Sequence, residues 1–188
     1  RKTCEALGIE HENVNMKALK KFLAVSGSSL ISDKEVPEGH YAAESMKATV
    51  VPNRNMIMLS VAAGHAVSVG AKKVAYAAHT GDHAVYPDCR LEFAEALKKA
   101  ISLCDYSEIQ LYSPFVERGM DKTDIASLGH QLCVDFSRTW SCYNGRREHC
   151  GNCGTCVERR EAFALAGVPD PTPYEATAKP LEELLQEG

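Results

Sequence analysis

Four cysteines carry the clearest chemical signal in the sequence. They are spaced Cys142-x7-Cys150-x2-Cys153-x2-Cys156, and thiolates with two residues between them can reach one metal ion about 2.3 Å from each sulfur. Four thiolates complete a tetrahedron and leave no position for water, so the spacing predicts a structural zinc site in a zinc-binding segment, 140–167. An iron–sulfur cluster and redox-active thiols are the alternatives, although the proline usual after a ferredoxin cysteine is missing.

The residues between these cysteines indicate how the site is built. Gly151 and Gly154 follow two of the ligands, where the chain turns around the ion and glycine tolerates positive φ. Thr155 and Glu158 have the spacing of a capping box, which predicts a helix with Cys156 in its first turn. The other four cysteines are scattered along the chain, as Cys4, Cys89, Cys104 and Cys133. Cys104 and Cys133 fall on apolar faces of predicted helices, so we expect them to be buried.

A second group of reactive side chains follows the apolar run 74–78. Two carboxylates, two imidazoles, a phenol and a guanidinium lie close together, as His79, Asp82, His83, Tyr86, Asp88 and Arg90. In open α/β sheets the ligand lies beyond the carboxyl ends of the strands, so this loop is a candidate binding site. The alternatives are that Asp88 caps the helix starting near residue 89 and that the histidines are simply solvated.

A third group stands at the start of an apolar helix, in the run Val50-Val51-Pro52-Asn53-Arg54-Asn55. The free N–H groups of a helix N-terminus bind anions, and Arg54 would add a bidentate contact. The alternative is a plain helix cap by Asn53.

Hydrophobic periodicity predicts the elements that position these groups. We expect helices at 55–69 and 89–104, a helix capped by Asp121 and Asp124, strands at 74–78 and 109–112, and a short helix at 181–185 after an extended tail. The first helix is apolar nearly all round, which predicts packing on both sides. Alternating strands and helices predict a single α/β domain, 1–188, with a largely parallel sheet flanked by helices.

The amino-acid composition restricts the classes of function that we expect for this chain. With 45% hydrophobic residues the chain can bury one core, and a net charge of −4 without a basic run argues against nucleic acid as a direct partner. No apolar stretch reaches the roughly 18 residues that span a bilayer and no leader opens the chain, so we expect a soluble, cytoplasmic protein without a membrane partner.

These motifs together resemble one family, the 7-cyano-7-deazaguanine synthases of queuosine biosynthesis. The resemblance covers the chain from about Leu7 to Pro171. It rests on the run 50–55, the loop from Asp82 through Tyr86-Pro87-Asp88-Cys89-Arg90, and Trp140-Ser141-Cys142-Tyr143 followed by the clustered cysteines and Val157 to Phe163.

The resemblance implies an adenine nucleotide α-hydrolase-like, Rossmann-like fold and an ATP-dependent carbon–nitrogen ligase. Such an enzyme adenylates 7-carboxy-7-deazaguanine, admits ammonia to form the amide, and activates the amide to eliminate the nitrile; zinc-bearing homodimers and ATP with Mg2+ are expected. The candidate substrate-binding residues are Lys47, Asn53, Arg54, Asp82, Tyr86, Asp88 and Arg90. Lys47 and Arg54 would stabilise phosphoryl charge, Asp82 or Asp88 would accept from the base, and Arg90 would pair with the substrate carboxylate.

The sequence departs from the pattern of this family at one important motif. The family begins with a strand leading into Ser-Gly-Gly-x-Asp-Ser, which cradles the ATP phosphates, whereas Ser26-Gly27-Ser28-Ser29 does not match it. We expect that an N-terminal portion with this loop lies outside these residues. The alternatives are that another polypeptide supplies the loop or that the phosphate site is lost. If the chain starts at Arg1, we expect it to have negligible ligase activity alone. The other functional classes are a related enzyme that modifies a protein or tRNA, and a non-catalytic zinc-stapled scaffold.

Overall fold

The computed structural model describes residues 1–186, including every side chain except those of His83 and Ala84. The α-helices are α1 (Lys2–Leu7), α2 (Lys17–Leu23), α3 (Arg54–Ser68), α4 (Leu91–Ile101), α5 (Pro114–Glu117), α6 (Lys122–Gln131), α7 (Gly154–Leu165) and α8 (Leu181–Leu185). The strands are β1 (Lys73–Ala75) and β2 (Gln110–Tyr112), and short 3-10 helices cover Ala24–Ser26, Glu44–Thr49, Thr80–Ala84, Pro87–Cys89 and Phe136–Arg138.

The two strands pair in parallel, with Val74 opposite Leu111. Both of these side chains are buried, while their neighbours along each strand are exposed. Parallel strands need a long crossover, which here contains α4. The predicted α/β fold with a parallel sheet is therefore confirmed, although each strand is shorter than the sequence pattern suggested.

Helix α4 covers the sheet with an apolar stripe. Ala94, Leu97 and Ile101 recur at helical spacing and are buried, and Leu97 and Ile101 join Leu59 and Ala63 of α3 in one core cluster with the strands. Burying each leucine or isoleucine contributes about 1.5–3 kcal/mol. This cluster fixes where the carboxyl ends of the strands meet α3.

The prediction that α3 packs on both sides is wrong for the structure described here. Met56, Met58 and Val61 are exposed, because the two strands cover only the face that carries Leu59 and Ala63. The predicted limits of the helix, 55–69, are each within one residue of those observed.

Helix α6 packs against α7, which carries the last of the clustered cysteines. Asp121 caps α6 reciprocally with Asp124, as predicted. Phe163 of α7 meets Phe136 edge to face, with ring centroids 4.8 Å apart. Throughout residues 1–186, no helix combines the length and apolar character that crossing a membrane requires.

Candidate functional site

The structure brings the four clustered cysteines together. Cys142, Cys150, Cys153 and Cys156 are buried, and their sulfurs all lie within 4.8 Å of one another. Sulfurs about 2.3 Å from one tetrahedral ion are about 3.8 Å apart, close to the 4.0 Å between the sulfurs of Cys150 and Cys156. All four are free thiols. The group therefore fits a single metal ion.

The clustered sulfurs influence each other's protonation. Hydrogen bonds from the side chains of Cys153 and Cys156 hold the pKa of Cys150 well below its ordinary value. Hydrogen bonding to the Cys150 and Cys153 sulfurs and burial raise the pKa of Cys156. A thiolate at Cys150 thus opposes proton loss at Cys156, and a bound cation would offset this repulsion.

The backbone around the sulfurs explains the glycines. Gly151 has φ of +79°, as predicted, and an added Cβ would lie 2.4 Å from the Cβ of Ala178. Gly154 is instead helical, and its Cβ would lie 2.7 Å from the sulfur of Met46. The second glycine therefore permits close approach of another segment, not a sharp turn.

The predicted capping box at the start of α7 is wrong. The helix begins at Gly154 with Cys153 as its N-cap. The Thr155 hydroxyl donates to the backbone oxygen of Ser141 at 2.8 Å, so it ties the helix to the chain before Cys142. Glu158 turns instead toward the loop after β1.

The tail beyond residue 167 is tied to the cysteine segment. Arg159 bonds both carboxylate oxygens of Asp170 through Nε, at 3.1 and 3.2 Å. Arg160 donates to the backbone oxygens of Gly151 and Lys179, at 3.1 and 2.9 Å. Two arginines of α7 therefore hold the tail against the metal loop.

The loop after β1 caps helix α3. Asp88 Oδ2 accepts from the backbone N–H of Asn55 at 3.0 Å, and the Asn55 amide donates to the Asp88 backbone oxygen at 3.1 Å. Neither expected local cap is present: the Asn53 side chain makes no capping bond and its φ is +54°, and helix α4 starts at Leu91 without a side-chain cap.

Arg54 lies between two tyrosines at this helix end. Its guanidinium carbon is 5.7 Å from the centre of the Tyr86 ring. Burial alone would lower the pKa of Arg54, but the interaction with Tyr143 raises it, with a smaller contribution from Asp88. The Tyr86 hydroxyl is 2.5 Å from Thr49 Oγ1 and 3.4 Å from the Tyr143 hydroxyl, and burial raises the pKa of Tyr143.

A small cavity lies where the loop after β1 meets α7. Three phenols, Tyr41, Tyr86 and Tyr143, line it together with the carboxylates of Asp82 and Glu158 and the backbone of Gly81. We call it the Gly81 cavity. It is the place where the candidate binding loop and the cysteine segment share one surface.

A charged cluster borders this cavity. His79 Nε2 lies 3.3 Å from Asp82 Oδ2 and 3.9 Å from Glu158 Oε1, and Lys122 of α6 donates to Glu158 Oε2. Sequence reasoning missed Lys122 as a site residue and misread Glu158 as a cap. The spacing along the chain could not reveal either, because the cluster depends on how α6 and α7 pack.

The remaining candidate residues are more dispersed. Lys47 is exposed and bonds Glu44 at 2.7 Å, and Arg90 is an exposed residue at the N-terminal boundary of α4. The side chain of His83 lies outside the described residues. Cys104 and Cys133 are exposed, so their expected burial is wrong; both follow the ends of their helices.

Parallel strands with flanking helices, a polar site at the strand ends and a buried four-cysteine segment fit an adenine nucleotide α-hydrolase-like domain. The family described as "Queuosine biosynthesis protein QueC" matches residues 1–167. The chain belongs to this family of enzymes.

Curated relatives agree with this assignment. The chain is 51% identical over 172 residues to 7-cyano-7-deazaguanine synthase 1 of Colwellia psychrerythraea, covering 92% of this chain and 77% of that protein. It is 53% identical over 175 residues to the 7-cyano-7-deazaguanine synthase of Marinobacter nauticus, covering 93% and 77%. The enzyme of that name from Methanoregula boonei is 51% identical over 175 residues, with 93% and 78% covered.

Proposed function

We propose that this protein makes 7-cyano-7-deazaguanine from 7-carboxy-7-deazaguanine, ammonia and ATP. The observation that carries the proposal is the identity of 51–53% to proteins named 7-cyano-7-deazaguanine synthase, over more than nine-tenths of the chain. The contact between Asp88 and Asn55 supports it, because it joins two of the motifs on which the family resemblance rests.

The reaction needs two activations. A carboxylate is a poor electrophile, so transfer of AMP from ATP must first make one oxygen a leaving group and release pyrophosphate. Ammonia then displaces AMP to form the amide. A second adenylation, on the amide oxygen, allows loss of AMP and protons to give the nitrile. The protein mainly positions the reactants and stabilises phosphoryl charge.

Within this proposal the seven candidate residues keep substrate-binding roles. They are Lys47, Asn53, Arg54, Asp82, Tyr86, Asp88 and Arg90. Arg54 is the best-supported charge stabiliser, since it is half-buried beside Tyr86 at the N-terminus of α3. Asp82 is the better-supported acceptor for the base, because one carboxylate oxygen of Asp88 already accepts the backbone N–H of Asn55.

The four cysteines are proposed to hold a structural zinc ion. Their number, burial and spacing fit tetrahedral zinc with no position for water. Zinc would then hold α7 and the tail in place, and ATP would bind with Mg2+ elsewhere. A cytoplasmic homodimer is the assembly that the family resemblance favours.

The proposal is tested by incubating the purified protein with 7-carboxy-7-deazaguanine, ammonium chloride and Mg-ATP. We expect the nitrile by mass spectrometry, with two AMP and two pyrophosphate released per nitrile. Arg54→Gln should lower kcat/KM by about tenfold or more, since it removes a charge-assisted contact, whereas the exposed control Arg147→Gln should not. Formation of an adenylate without amide or nitrile would refute the proposed reaction.

A further inference from the structure

Tyr143 connects the cysteine segment to the N-terminus of α3. It directly follows Cys142 in the sequence, and its partly buried side chain packs against the four clustered cysteines. The same side chain lines the Gly81 cavity together with Tyr86. Tyr143 therefore belongs to the metal segment and to the candidate binding site at once, and the reaction described above gives it no role.

The Tyr143 phenol interacts with Arg54. The Arg54 guanidinium carbon lies over the Tyr86 ring, 5.7 Å from its centre, and the hydroxyls of Tyr86 and Tyr143 are 3.4 Å apart. Burial would lower the pKa of Arg54, but its electrostatic interaction and hydrogen bond with Tyr143 raise it. Because arginine has only donors, the Tyr143 oxygen is the acceptor in this contact.

One backbone carbonyl sets the direction of the neighbouring hydroxyl protons. The backbone oxygen of Met46 can only accept, so the Thr49 hydroxyl donates to it at 2.7 Å. The Thr49 proton is then used, and the Tyr86 hydroxyl must donate to Thr49 Oγ1 at 2.5 Å. The Tyr86 oxygen is left to accept from the Tyr143 hydroxyl at 3.4 Å. All of the donors therefore point away from Arg54 and toward Met46.

This order fixes the lone pairs of Tyr143. Its proton points to Tyr86, so the other side of the oxygen is available to the Arg54 guanidinium. Thr49 is 1% exposed and Tyr86 is 9% exposed, so water competes little for these groups. Hydrogen bonds to a charged group are about twice as strong as neutral ones, and bonds in a chain strengthen one another. The network therefore restrains Arg54 at the N-terminus of α3.

We propose that Tyr143 is a positioning residue for the reaction proposed above and holds the Arg54 guanidinium where phosphoryl charge develops. The inference rests on the proposed function for the role of Arg54 in turnover, whereas the contact itself can be measured without turnover. Because Tyr143 follows Cys142 and packs on the cysteines, the metal segment fixes the backbone from which the phenol reaches Arg54. The cysteine segment thus serves the site as well as holding the tail.

The contact is tested by urea unfolding of Tyr143→Phe, Arg54→Gln and the double variant. Residues that interact give non-additive changes, so the double variant should lose less stability than the sum of the two single losses. Tyr174→Phe is the matched control, because Tyr174 packs against the same four cysteines but its hydroxyl donates to Asp170 at 2.6 Å. Its effect should add to that of Arg54→Gln. Additive effects for Tyr143→Phe as well would overturn the proposal.

Steady-state kinetics test the positioning role. Tyr143→Phe should lower kcat about tenfold, the effect of losing one charge-assisted hydrogen bond in the transition state, and leave KM for 7-carboxy-7-deazaguanine unchanged. In the Arg54→Gln background the same change should cost about twofold or less, because Tyr143 acts through Arg54. Tyr174→Phe should leave kcat unchanged. A tenfold loss that persists without Arg54, or a rise in KM alone, would overturn the proposal.

Thr49→Val and metal analysis guard against a purely structural effect. Valine keeps the shape of Thr49 but removes the acceptor of the Tyr86 hydroxyl, which then turns to the Tyr143 oxygen and competes with Arg54. We expect a loss of kcat smaller than that of Tyr143→Phe, again absent in Arg54→Gln. Both variants should keep the metal content of the unmodified protein. Loss of metal in Tyr143→Phe would assign its effect to the cysteine segment and overturn the proposal.

Unfolding and kinetics together separate this inference from the proposed function. Coupling in unfolding, without nitrile formation by the unmodified protein, would refute the proposed function and keep the contact between Tyr143 and Arg54. Nitrile formation with full turnover in Tyr143→Phe would refute the positioning role alone.

Discussion

Asp88 caps a helix that begins 34 residues before it: its Oδ2 accepts the backbone N–H of Asn55 at 3.0 Å. The Asn55 side-chain amide in turn donates to the Asp88 backbone oxygen and lies 3.4 Å from the Cys89 sulfur. A carboxylate at a helix N-terminus satisfies a free N–H and interacts favourably with the helix dipole. The loop after β1 and the start of α3 thus form one unit.

Two substitutions at Asp88 separate this capping from a role in substrate binding. Asp88→Ala should lower the free energy of unfolding by about 1 kcal/mol, the usual value of an N-cap. Asp88→Asn keeps an acceptor for Asn55, so it should cost less stability but still reduce nitrile formation. Both are measured by urea unfolding and turnover. Full turnover in Asp88→Asn would limit Asp88 to capping.

Asp105 supplies the control for that pair. Its Oδ1 accepts from the backbone N–H of Ser107 at 2.9 Å in an exposed turn that follows α4. Asp105→Ala should therefore leave turnover unchanged. A comparable loss of turnover would show that the assay responds to stability alone.

The metal content should follow the four clustered cysteines. We expect one zinc per chain by elemental analysis, lost in Cys153→Ser, because three thiolates bind zinc far less tightly than four. Tm should fall with the metal, since binding free energy is also folding free energy. Cys133→Ser, at an exposed thiol, should keep both. Iron with visible absorbance in place of zinc would identify a cluster instead.

The sequence predicted the local parts of the structure well. The cysteine spacing placed four sulfurs together, and Asp121 and Asp124 marked the start of α6. Both signals lie within one turn or loop, where spacing determines geometry. The local caps expected for α3 and α7 are absent because residues distant in sequence make the contacts there. Asp88 accepts from the start of α3, and Ser141 accepts from Thr155 of α7.

The candidate site was predictable only in part, for the same reason. The loop containing Asp82 and Tyr86 was found from its position after a strand. Its partners Lys122 and Glu158 come from two helices that pack together later in the chain. No spacing rule connects them to residue 82, so only the packed structure reveals the charged cluster and the cavity beside it.

The rate at which each cysteine outside the metal site reacts with an alkylating reagent should depend on its burial. Cys89 is buried, and burial together with the nearby charges of Asp82 and Asp88 raises its pKa to about 12. Because the thiolate is the nucleophile, Cys89 should resist iodoacetamide at neutral pH in the zinc-loaded protein. Cys104 and Cys133 are exposed and should be alkylated, as peptide mass spectrometry would show. Rapid labelling of Cys89 would mean that the loop after β1 opens readily.

The buried pair of Arg159 and Asp170 should govern stability in acid. Burial alone would raise the pKa of Asp170, but hydrogen bonds from Arg159, Tyr174 and Thr172 lower it below the ordinary 3.8. A folded-state pKa below the unfolded value contributes stability above pH 3.8, and this contribution is lost as the pH falls through the folded pKa.

Asp170→Asn tests this contribution. It leaves the Arg159 charge buried without its partner, so we expect a loss of about 3–5 kcal/mol at pH 7. The difference between the two proteins should shrink as the pH falls below 3.8; release of zinc in acid affects both equally and cancels. Asp135→Asn, in an exposed pair with Arg138, should change stability little. A difference that stayed constant into acid would mean that Asp170 acts through shape and not through charge.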